Sequence, residues 1–287
     1  MVSIDADSAR YCLLGRKLSH SLSPQIQNAL FRSAGENAFY FTLPFEPEIM
    51  AETVTVLRAC FSGFNITIPY KELIIPYLDE YDETVSACGA CNTVKVTPRG
   101  DLIGYNTDGL GFLRALREAF VVPDKDTRAL VLGSGGAARS LAYALLREGA
   151  HVTIAARNME TGEALIKALS TSVKGGGERL ELMDLYDIKG DYGLLCNTTP
   201  VGMYPSEPES PVPARIVSRC DAVFDAVYNP LTTRLLDIAA QEGKKCISGL
   251  AMLFYQAVEA QSVWLSGSIA SKSEQRRIYR ELYASRA

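Results

Sequence analysis

Short apolar runs rich in β-branched residues alternate with longer amphipathic segments along most of the chain. Apolar runs of about four to eight residues are typical of buried strands, whereas the longer segments favour helices. Because strands that alternate with helices form parallel sheets covered by helices on both faces, the pattern predicts an α/β fold. The predicted strands are residues 11–15, 39–45, 63–68, 92–97, 102–105, 129–133, 151–156, 180–183, 193–197, 222–227 and 245–248.

Helices are predicted in the segments between these strands. Pro24 suits the first turn of a helix, where its missing N–H costs nothing, and Ser23 before it is expected to cap that helix. The predicted helices cover residues 24–33, 47–60, 110–120, 137–148, 161–169 and 233–242, and the pattern from residue 250 to the end of the sequence is also helical.

Turn signals and chain length refine this organisation. Pro98-Arg99-Gly100-Asp101 stands between two extended runs and predicts a hairpin, hence one antiparallel edge in the first sheet. Residues 170–178 and 200–213 are rich in glycine or proline and are expected to form surface loops. A chain of 287 residues is long enough for two domains, since single domains usually have about 100 to 200 residues.

Composition and charge narrow the class of protein. With 47% hydrophobic and 22% charged residues, the chain is typical of folded globular proteins and unlike a disordered or collagen-like chain. A net charge of -4 with scattered lysine and arginine offers no basic surface for nucleic acid or anionic membranes. No apolar run approaches the roughly 18 residues that span a bilayer, and the acidic N-terminus is unlike a signal peptide, so we expect a cytoplasmic protein.

The seven cysteines form an odd set spread over the whole sequence, and we expect them to be reduced thiols. Cys88 and Cys91 make a Cys-x-x-Cys pair, but there is no second pair and the sequence has only two histidines. We therefore expect no metal site. A redox-active pair is a second interpretation, and small buried residues in a turn are the interpretation we favour.

A glycine-rich turn follows the predicted strand 129–133 and opens a helix. Gly133, Gly135 and Ala138 fit the spacing of the dinucleotide-binding fingerprint. The first glycine makes the tight turn, and the second lets the backbone approach a pyrophosphate at the positive end of the helix. The residues expected to line this cofactor loop are Gly133, Ser134, Gly135, Gly136 and Ala137.

The end of the next strand indicates which dinucleotide is bound. NAD-preferring sites place an acidic residue there for the ribose 2′-hydroxyl, whereas this strand ends in Ala156-Arg157-Asn158. An arginine suits a 2′-phosphate through its charge and its paired donors, so NADP is predicted and NAD is the second choice. The alternative is a surface arginine that merely ends a strand, and the acidic Glu160 nearby complicates the assignment.

Polar residues cluster at four further places, each beside a predicted strand. The clusters are Gly15–Pro24, Asn65–Lys71, Gly89–Thr93 and Gly104–Gly109. Ligands of α/β proteins bind at the carboxyl ends of the strands, and a helix N-terminus with two hydroxyls suits a carboxylate. Capping and turn formation explain each cluster separately, but they do not explain why all four occur together.

In this order, the clusters and the glycine loop closely resemble the shikimate dehydrogenase family, and the resemblance covers nearly the whole chain. The motifs that carry it are Ser21-x-Ser23-Pro24, Asn65-x-Thr67-x-Pro69-x-Lys71, Gly89-Ala90-x-Asn92-Thr93, Asn106-Thr107-Asp108-Gly109, Gly133-x-Gly135-Gly136-Ala137, Asn197-Thr198-Thr199-Pro200-x-Gly202-Met203, Asp225-x-x-Tyr228-x-Pro230-x-Thr232 and Gly249-x-x-Met252-x-x-x-Gln256. The resemblance implies an α/β substrate-binding and catalytic domain, residues 1–108 with 249–287, and a Rossmann-like NADP-binding domain, residues 109–248.

The resemblance also implies roles for individual residues. Lys71 and Asp108 are the expected catalytic pair, converging on the carbonyl oxygen that is reduced. The residues expected to bind the substrate are Ser21, Ser23, Thr67, Asn92, Tyr228 and Gln256. Besides the glycine loop, the residues expected to bind the cofactor are Arg157, Asn158, Asn197, Thr198, Thr199, Met203 and Gly249.

The activity that the resemblance implies is the reversible, NADPH-dependent reduction of 3-dehydroshikimate to shikimate, in the route to chorismate and the aromatic amino acids. One departure concerns the cofactor: NADP-using members commonly have Asn-Arg-Thr followed by a further arginine, whereas Thr161 stands at that later position. This departure favours a weaker preference for the 2′-phosphate. A quinate/shikimate dehydrogenase that prefers NAD is the nearest alternative, because the contacts to substrate hydroxyls in such relatives differ by only a few side chains, and an inactive metabolite-binding regulator is another. A monomer or a homodimer is expected.

Overall fold

The computed structural model of the protein describes residues 4–265 and 269–286. Its contacts divide the chain into two units, residues 1–107 with 256–287, and residues 108–255. Each unit contains one six-stranded sheet. Asp108 and residues 249–255 belong to the second unit by these contacts, whereas the sequence-based boundaries assign them to the first domain.

The helices and strands follow one another in alternation. The first unit begins with β1 (Ala9–Gly15), α1 (Ser23–Ala34), β2 (Ala38–Pro44), α2 (Met50–Cys60), β3 (Gly63–Ile66), α3 (Tyr70–Leu73), β4 (Glu80–Tyr81), α4 (Glu83–Cys88), β5 (Thr93–Val96) and β6 (Leu102–Tyr105). The elements that follow are α5 (Asp108–Glu118), β7 (Arg128–Leu132), α6 (Gly136–Arg147), β8 (His151–Ala156), α7 (Met159–Ser172), β9 (Leu180–Asp184), β10 (Tyr192–Asn197), α8 (Ala214–Val217), β11 (Cys220–Asp225), α9 (Arg234–Gln241), β12 (Lys245–Ser248), α10 (Gly249–Trp264) and α11 (Lys272–Ala284).

The first sheet is mixed, with strand order β2-β1-β3-β5-β6-β4. β1 pairs in parallel with β2 and β3, whereas β5 is antiparallel to both β3 and β6. The predicted hairpin at residues 98–101 is confirmed, since it joins β5 to β6. The antiparallel strand is nevertheless inside the sheet and not at its edge, because β5 pairs with β3 on one side and with β6 on the other.

A tryptophan from the C-terminal part of the chain completes the core of the first unit. The buried indole of Trp264 donates a hydrogen bond to the carbonyl of Val94 (2.9 Å) and lies 4.7 Å from the ring of Tyr11. A Cβ on Gly63 would stand 2.5 Å from the indole nitrogen, so glycine is required where this ring meets β3. Removing a buried aromatic side chain of this size usually costs about 3 to 5 kcal/mol of stability.

The second sheet is entirely parallel, with strand order β12-β11-β10-β7-β8-β9. This is the doubly wound order of dinucleotide-binding folds, which reverses between the first and fourth strands of the unit, here β7 and β10. Residues 129–132 of β7 are fully buried, as expected of a strand covered on both faces. The α/β fold class predicted from the sequence is confirmed.

Helix starts differ from the prediction in several places. Ser23 is the first residue of α1, and Leu22 occupies the cap position without a side-chain hydrogen bond, so the predicted cap at Ser23 is wrong. Pro24 does lie in the first turn. The helix predicted from residue 161 begins at Met159 because the Asn158 side chain accepts a hydrogen bond from the Thr161 N–H (3.2 Å) and caps it.

Other predicted segments keep their type but change their bounds. Residues 47–49 form a 3₁₀ turn before α2, and the expected loop at 170–178 begins only after α7 ends at Ser172. Residues 200–213 form turns, as predicted. The helical C-terminal pattern corresponds to α10 and α11, and its residues 266–268 and 287 lie outside the described residues. Within the described ranges, none of the helices has the length and apolar character needed to cross a membrane.

Candidate active site

Polar residues of the first unit gather along one edge of its sheet. The carboxyl ends of β1, β3 and β6 share this edge with the amino end of β5, because β5 is antiparallel to its neighbours. Thr67 follows β3, Asn92 precedes β5 and Thr107 follows β6. The loop after β1 leads into α1, where Ser21 is half-buried and Ser23 is buried. Strand direction therefore places four of the predicted polar clusters along this edge.

Asn92 is held rigidly at the centre of this edge. Its buried side-chain oxygen accepts hydrogen bonds from the Thr107 N–H (2.8 Å) and the Thr93 hydroxyl (2.9 Å). Its amide nitrogen donates to the Thr107 hydroxyl (3.1 Å). These bonds join the start of β5 to the end of β6 and fix the orientation of the amide that is expected to meet substrate hydroxyls.

Asn65 supports this arrangement from β3. Its buried amide nitrogen donates to the Asn92 carbonyl (3.1 Å) and to the Thr93 hydroxyl (2.9 Å). Its side-chain oxygen accepts from the Tyr40 hydroxyl (2.8 Å), and burial raises the pKa of Tyr40 well above its ordinary value, so that the hydroxyl keeps its proton and donates. Asn65 therefore connects three strands of the sheet.

Sequence reasoning did not select Tyr40, Gln27 or Gln261, which extend this polar network. The Gln27 amide nitrogen lies 3.4 Å from the Asn65 oxygen, and the Gln261 amide donates to the Gln27 side-chain oxygen (2.9 Å). All three residues are buried. Gln27 lies among apolar residues on one face of α1, and this position was the signal in the sequence that could have revealed the network. A buried amide requires hydrogen-bond partners.

Lys71 lies in the four-residue helix α3, at the same sheet edge. The Tyr70 N–H donates to the Thr67 carbonyl (2.9 Å), and the Cys91 N–H donates to the Lys71 carbonyl (2.8 Å). These two bonds hold the backbone at Lys71 between Thr67, which follows β3, and Cys91, which precedes Asn92. The half-buried Lys71 side chain therefore starts beside two of the predicted substrate-binding residues.

The loop after β1, which carries Ser21 and Ser23, begins at a glycine that packs closely against Thr67. A Cβ on Gly15 would stand 2.7 Å from the Thr67 methyl carbon, so the missing side chain lets Thr67 approach the end of β1. Beyond Gly15, the Ser23 N–H donates to the Ser21 hydroxyl (3.3 Å). The first unit thus brings Ser21, Ser23, Thr67, Lys71 and Asn92 to one edge. Gln256 of α10 is half-buried and belongs to the same unit.

In the second unit, the glycine loop lies where the strand order reverses. Gly133 follows β7, has a φ of +108° and donates its N–H to the Ala155 carbonyl (2.8 Å). A Cβ there would stand 2.9 Å from the Thr198 hydroxyl oxygen. Gly135 and Gly136 are exposed, and α6 begins without a side-chain cap. The bare N–H groups of this helix start suit a pyrophosphate.

The segment 197–203, which the family resemblance assigns to the nicotinamide side of the cofactor and which we call the nicotinamide loop, begins at the end of β10, next to the glycine loop. The Thr198 hydroxyl donates to the Leu132 carbonyl at the end of β7 (2.6 Å). Asn197 is fully buried, and its oxygen accepts from the Thr199 N–H (3.0 Å) and hydroxyl (2.7 Å). Thr198 and Thr199 are half-buried and Met203 is exposed, so the accessible part of this loop starts after Asn197.

The end of β8 carries the residues expected at the 2′-phosphate. Arg157 is exposed, and within the described part of the chain no ion pair joins it to the exposed Glu160. Asn158 uses its side-chain oxygen to cap α7. Thr161, which replaces the further arginine of the family pattern, forms a 2.7 Å hydrogen bond with the Ser134 hydroxyl of the glycine loop. Arg157 is therefore an exposed cation at this strand end.

The remaining predicted residues lie in three places of the second unit. Tyr228 follows β11 with 37% of its surface exposed, and Asp108 is the half-buried first residue of α5. Gly249 begins α10, where a Cβ would stand 2.3 Å from the Ala226 carbonyl oxygen. This close approach of two backbones explains the glycine at position 249.

The two cysteines of the Cys-x-x-Cys pair are buried. Burial raises the pKa of the Cys91 thiol to about 12, and its sulfur donates to the Thr93 carbonyl (3.3 Å). The thiolate needed for metal binding or disulfide exchange is therefore strongly disfavoured at Cys91. Among residues 4–265 and 269–286, there is no group of His, Cys, Asp or Glu side chains that could hold a metal ion.

Comparison with known proteins identifies the family. The sequence model described as "Shikimate dehydrogenase substrate binding domain" matches residues 13–94. The shikimate dehydrogenase (NADP(+)) of Moorella thermoacetica is 39% identical over 292 residues, which cover 98% of this chain and 96% of that protein. The chain belongs to the shikimate dehydrogenase family.

Two solved shikimate dehydrogenase structures are similar over nearly the whole chain. The enzyme of Thermus thermophilus, in complex with NADP(H) and shikimate, is 33% identical with a TM-score of 0.83, and covers 95% of this chain and 99% of its own. The enzyme of Listeria monocytogenes, in complex with shikimate and NAD, is 28% identical with a TM-score of 0.87, and covers 97% and 98%. The family predicted from the sequence is confirmed.

Replacing Gly133 by Ala should weaken dinucleotide binding by this chain. Its positive φ and the 2.9 Å approach to Thr198 leave no room for a Cβ, so the loop must shift. Strain of this kind costs about 1 to 3 kcal/mol, and we expect the Kd of the dinucleotide, measured by calorimetric titration, to rise about tenfold.

Gly175→Ala is the matched control for this change. Gly175 also has a positive φ (+68°) and lies in the same unit, but a Cβ there meets no atom within 4 Å. The control should lose some stability and keep its affinity for the dinucleotide. Equal loss of affinity in the two variants would show that the effect comes from general destabilisation and not from the loop.

Proposed function

We propose that this chain catalyses the reversible, NADPH-dependent reduction of 3-dehydroshikimate to shikimate. The observation that carries the proposal is the edge of the first sheet, where backbone hydrogen bonds hold Lys71 beside Thr67 and Asn92, and the Thr107 N–H fixes the Asn92 side chain. The glycine loop at the reversal point of the second sheet supports dinucleotide binding. Membership of the family supports the choice of substrate.

The two units take different roles in this proposal. The match to the substrate-binding model lies within the first unit, and the glycine loop lies in the second. We therefore assign most of the predicted substrate contacts to residues 1–107 with 256–287, and NADP binding to residues 108–255. The predicted monomer or homodimer and the predicted cytoplasmic location stay predictions from the sequence.

Lys71 and Asp108 form the proposed catalytic pair. Bound NADPH supplies the hydride that reduces the ring ketone. As negative charge develops on the ketone oxygen, the Lys71 ammonium stabilises it and donates a proton to it. The Asp108 carboxylate keeps the ammonium oriented toward that oxygen. In the reverse direction, a neutral Lys71 accepts the proton of the alcohol.

The other predicted residues hold the substrate in one orientation. In the proposal, the hydroxyls of Ser21, Ser23 and Tyr228 bind the substrate carboxylate. The side chains of Thr67, Asn92 and Gln256 bind the ring hydroxyls. Asn92 is already fixed by Thr93 and Thr107, so its orientation requires no ordering when the substrate arrives.

NADP is the proposed cofactor, and Arg157 is its proposed recognition residue. The exposed guanidinium at the end of β8 matches the charge and donor geometry of a 2′-phosphate. Use of NAD is the second candidate, because Thr161 bonds to Ser134 where NADP-using relatives commonly have an additional arginine. The complex of the Listeria monocytogenes enzyme with NAD also favours keeping this alternative.

One absorbance assay of nicotinamide reduction tests the proposed function. We expect the purified chain to oxidise shikimate with NADP, more slowly with NAD, and to act weakly on quinate. A preference for NAD with quinate would favour the quinate/shikimate dehydrogenase alternative. Calorimetric binding of shikimate without any turnover would favour the inactive regulator.

Replacing Arg157 by Ala should raise the KM for NADP about tenfold or more and leave the KM for NAD nearly unchanged, since a hydrogen bond to a charged group contributes about 1.5 to 3 kcal/mol. Arg215→Ala is the control, because Arg215 is an exposed arginine of α8 in the same unit. A parallel rise in both KM values would contradict a contact with the 2′-phosphate.

Replacing Lys71 by Ala should lower kcat by about 10² to 10⁴, the usual contribution of a positioned proton donor, while shikimate still binds. Steady-state kinetics and calorimetric titration with shikimate measure the two effects separately. Lys272→Ala, at an exposed lysine of α11 in the same unit, should leave both unchanged. Comparable losses of kcat and affinity would assign Lys71 to substrate binding instead.

A further inference from the structure

We infer that Asp225 is a positioning residue, which orients the nicotinamide loop through Asn197 and anchors the turn that leads to Tyr228. Asp225 is the last residue of β11, and its carboxylate is fully buried beside the end of β10. The inference rests on the proposed function, because it concerns the loop expected to hold the nicotinamide.

The carboxylate accepts a hydrogen bond from each of three separate segments. One oxygen, Oδ1, accepts from the Asn197 amide (2.9 Å) and from the Val227 N–H (3.0 Å). The other, Oδ2, accepts from the Thr233 hydroxyl (2.6 Å). Burial raises the pKa of Asp225, and the bonds from Thr233, Val227 and Asn197 oppose this rise.

The bond to Asn197 continues into the nicotinamide loop. A side-chain amide has one donor end and one acceptor end. The donor end of Asn197 binds the Asp225 carboxylate (2.9 Å) and, at a longer distance, the Val201 carbonyl (3.3 Å). The acceptor end therefore points to Thr199, whose N–H (3.0 Å) and hydroxyl (2.7 Å) both donate to it. Without the carboxylate, the donor end keeps only the longer bond to the Val201 carbonyl. The amide is then free to rotate, and rotation takes its oxygen away from both donors of Thr199.

The bond to Val227 acts on the turn after β11. This bond holds the backbone two residues beyond Asp225, immediately before Tyr228. One buried carboxylate thus sets the start of two loops that are expected to contact the cofactor and the substrate. Such a group affects the reaction rate without touching the reactants, because it fixes the positions of the residues that do. Small displacements of those residues lower the rate.

The two carboxylate oxygens provide a matched pair of variants. Asp225→Ala removes the bonds to Asn197 and Val227 together with the bond to Thr233. Thr233→Val removes only the bond at Oδ2 and the cap of α9, where the Thr233 hydroxyl accepts from the Leu236 N–H (3.4 Å). Both variants should lower the Tm, but only Asp225→Ala should disturb the nicotinamide loop.

The expected results are kinetic. Asp225→Ala should lower kcat for shikimate oxidation by about 10- to 100-fold. Its Kd for NADP should change less than about threefold, because the glycine loop that binds the pyrophosphate is separate. Thr233→Val should keep kcat within about twofold. Asp225→Asn should keep kcat within about threefold, because the amide oxygen can still accept from Asn197 and the amide nitrogen can donate to Thr233.

A double variant tests the route through Asn197. If Asp225 acts through this amide, Asp225→Ala should lower kcat much less in an Asn197→Ala background than in the wild type. Additive losses would overturn the inference, as would an unchanged kcat in Asp225→Ala. Equal kcat losses in Asp225→Ala and Thr233→Val at similar Tm would assign the effect to stability alone.

Two further comparisons keep the inference testable. If Asp225→Ala does not fold, Asn197→Ala replaces it, and an unchanged kcat in that variant overturns the inference. An Asp225→Asn variant that folds normally but has a 100-fold lower kcat also overturns it. The wild-type chain in the same assay separates the two proposals. An inactive wild type contradicts the proposed function, whereas an active wild type with an indifferent Asp225 contradicts only this inference.

Discussion

A buried side-chain amide ties strand ends together in each unit, and the residues expected to meet substrate and cofactor depend on it. An amide removed from water must find hydrogen-bond partners inside the protein, or its burial costs stability. Asn65 meets this constraint by joining β3 to Asn92 and Thr93. Asn197 meets it by joining β10 to Asp225 and Thr199. The bonds that satisfy each amide therefore also position its neighbours at the sheet edge.

Local patterns were sufficient to predict most of the fold, and pairing between distant strands was not predictable from them. The second sheet was recognisable because its strands are buried on both faces and appear as continuous apolar runs. β4 has two residues and α3 has four, which is too short to produce a period. The internal position of β5 depends on its pairing with β3 as well as with β6, and no local signal in the sequence encodes the pairing with β3.

The candidate site was visible in the sequence wherever polar residues stand at strand ends, as Thr67, Lys71 and Asn92 do. The residues that support them were not visible. Gln27 and Gln261 are 234 positions apart and meet only in the folded first unit. Asp225 stood within a family motif, but its partner Asn197 belongs to a different strand, so its contacts became apparent only once β10 and β11 were placed side by side.

Trp264 reaches the core of the first unit although the whole second unit separates it from β1 in the sequence. A ribosome releases the amino end of the chain first, so the six strands of the first sheet emerge long before this indole. The second unit is continuous from residue 108 to 255, so its core requires no segment from later in the chain. We therefore expect the first sheet to have an incomplete core, with exposed apolar surface, until synthesis reaches Trp264. This makes the first unit the part of the nascent chain most dependent on chaperones.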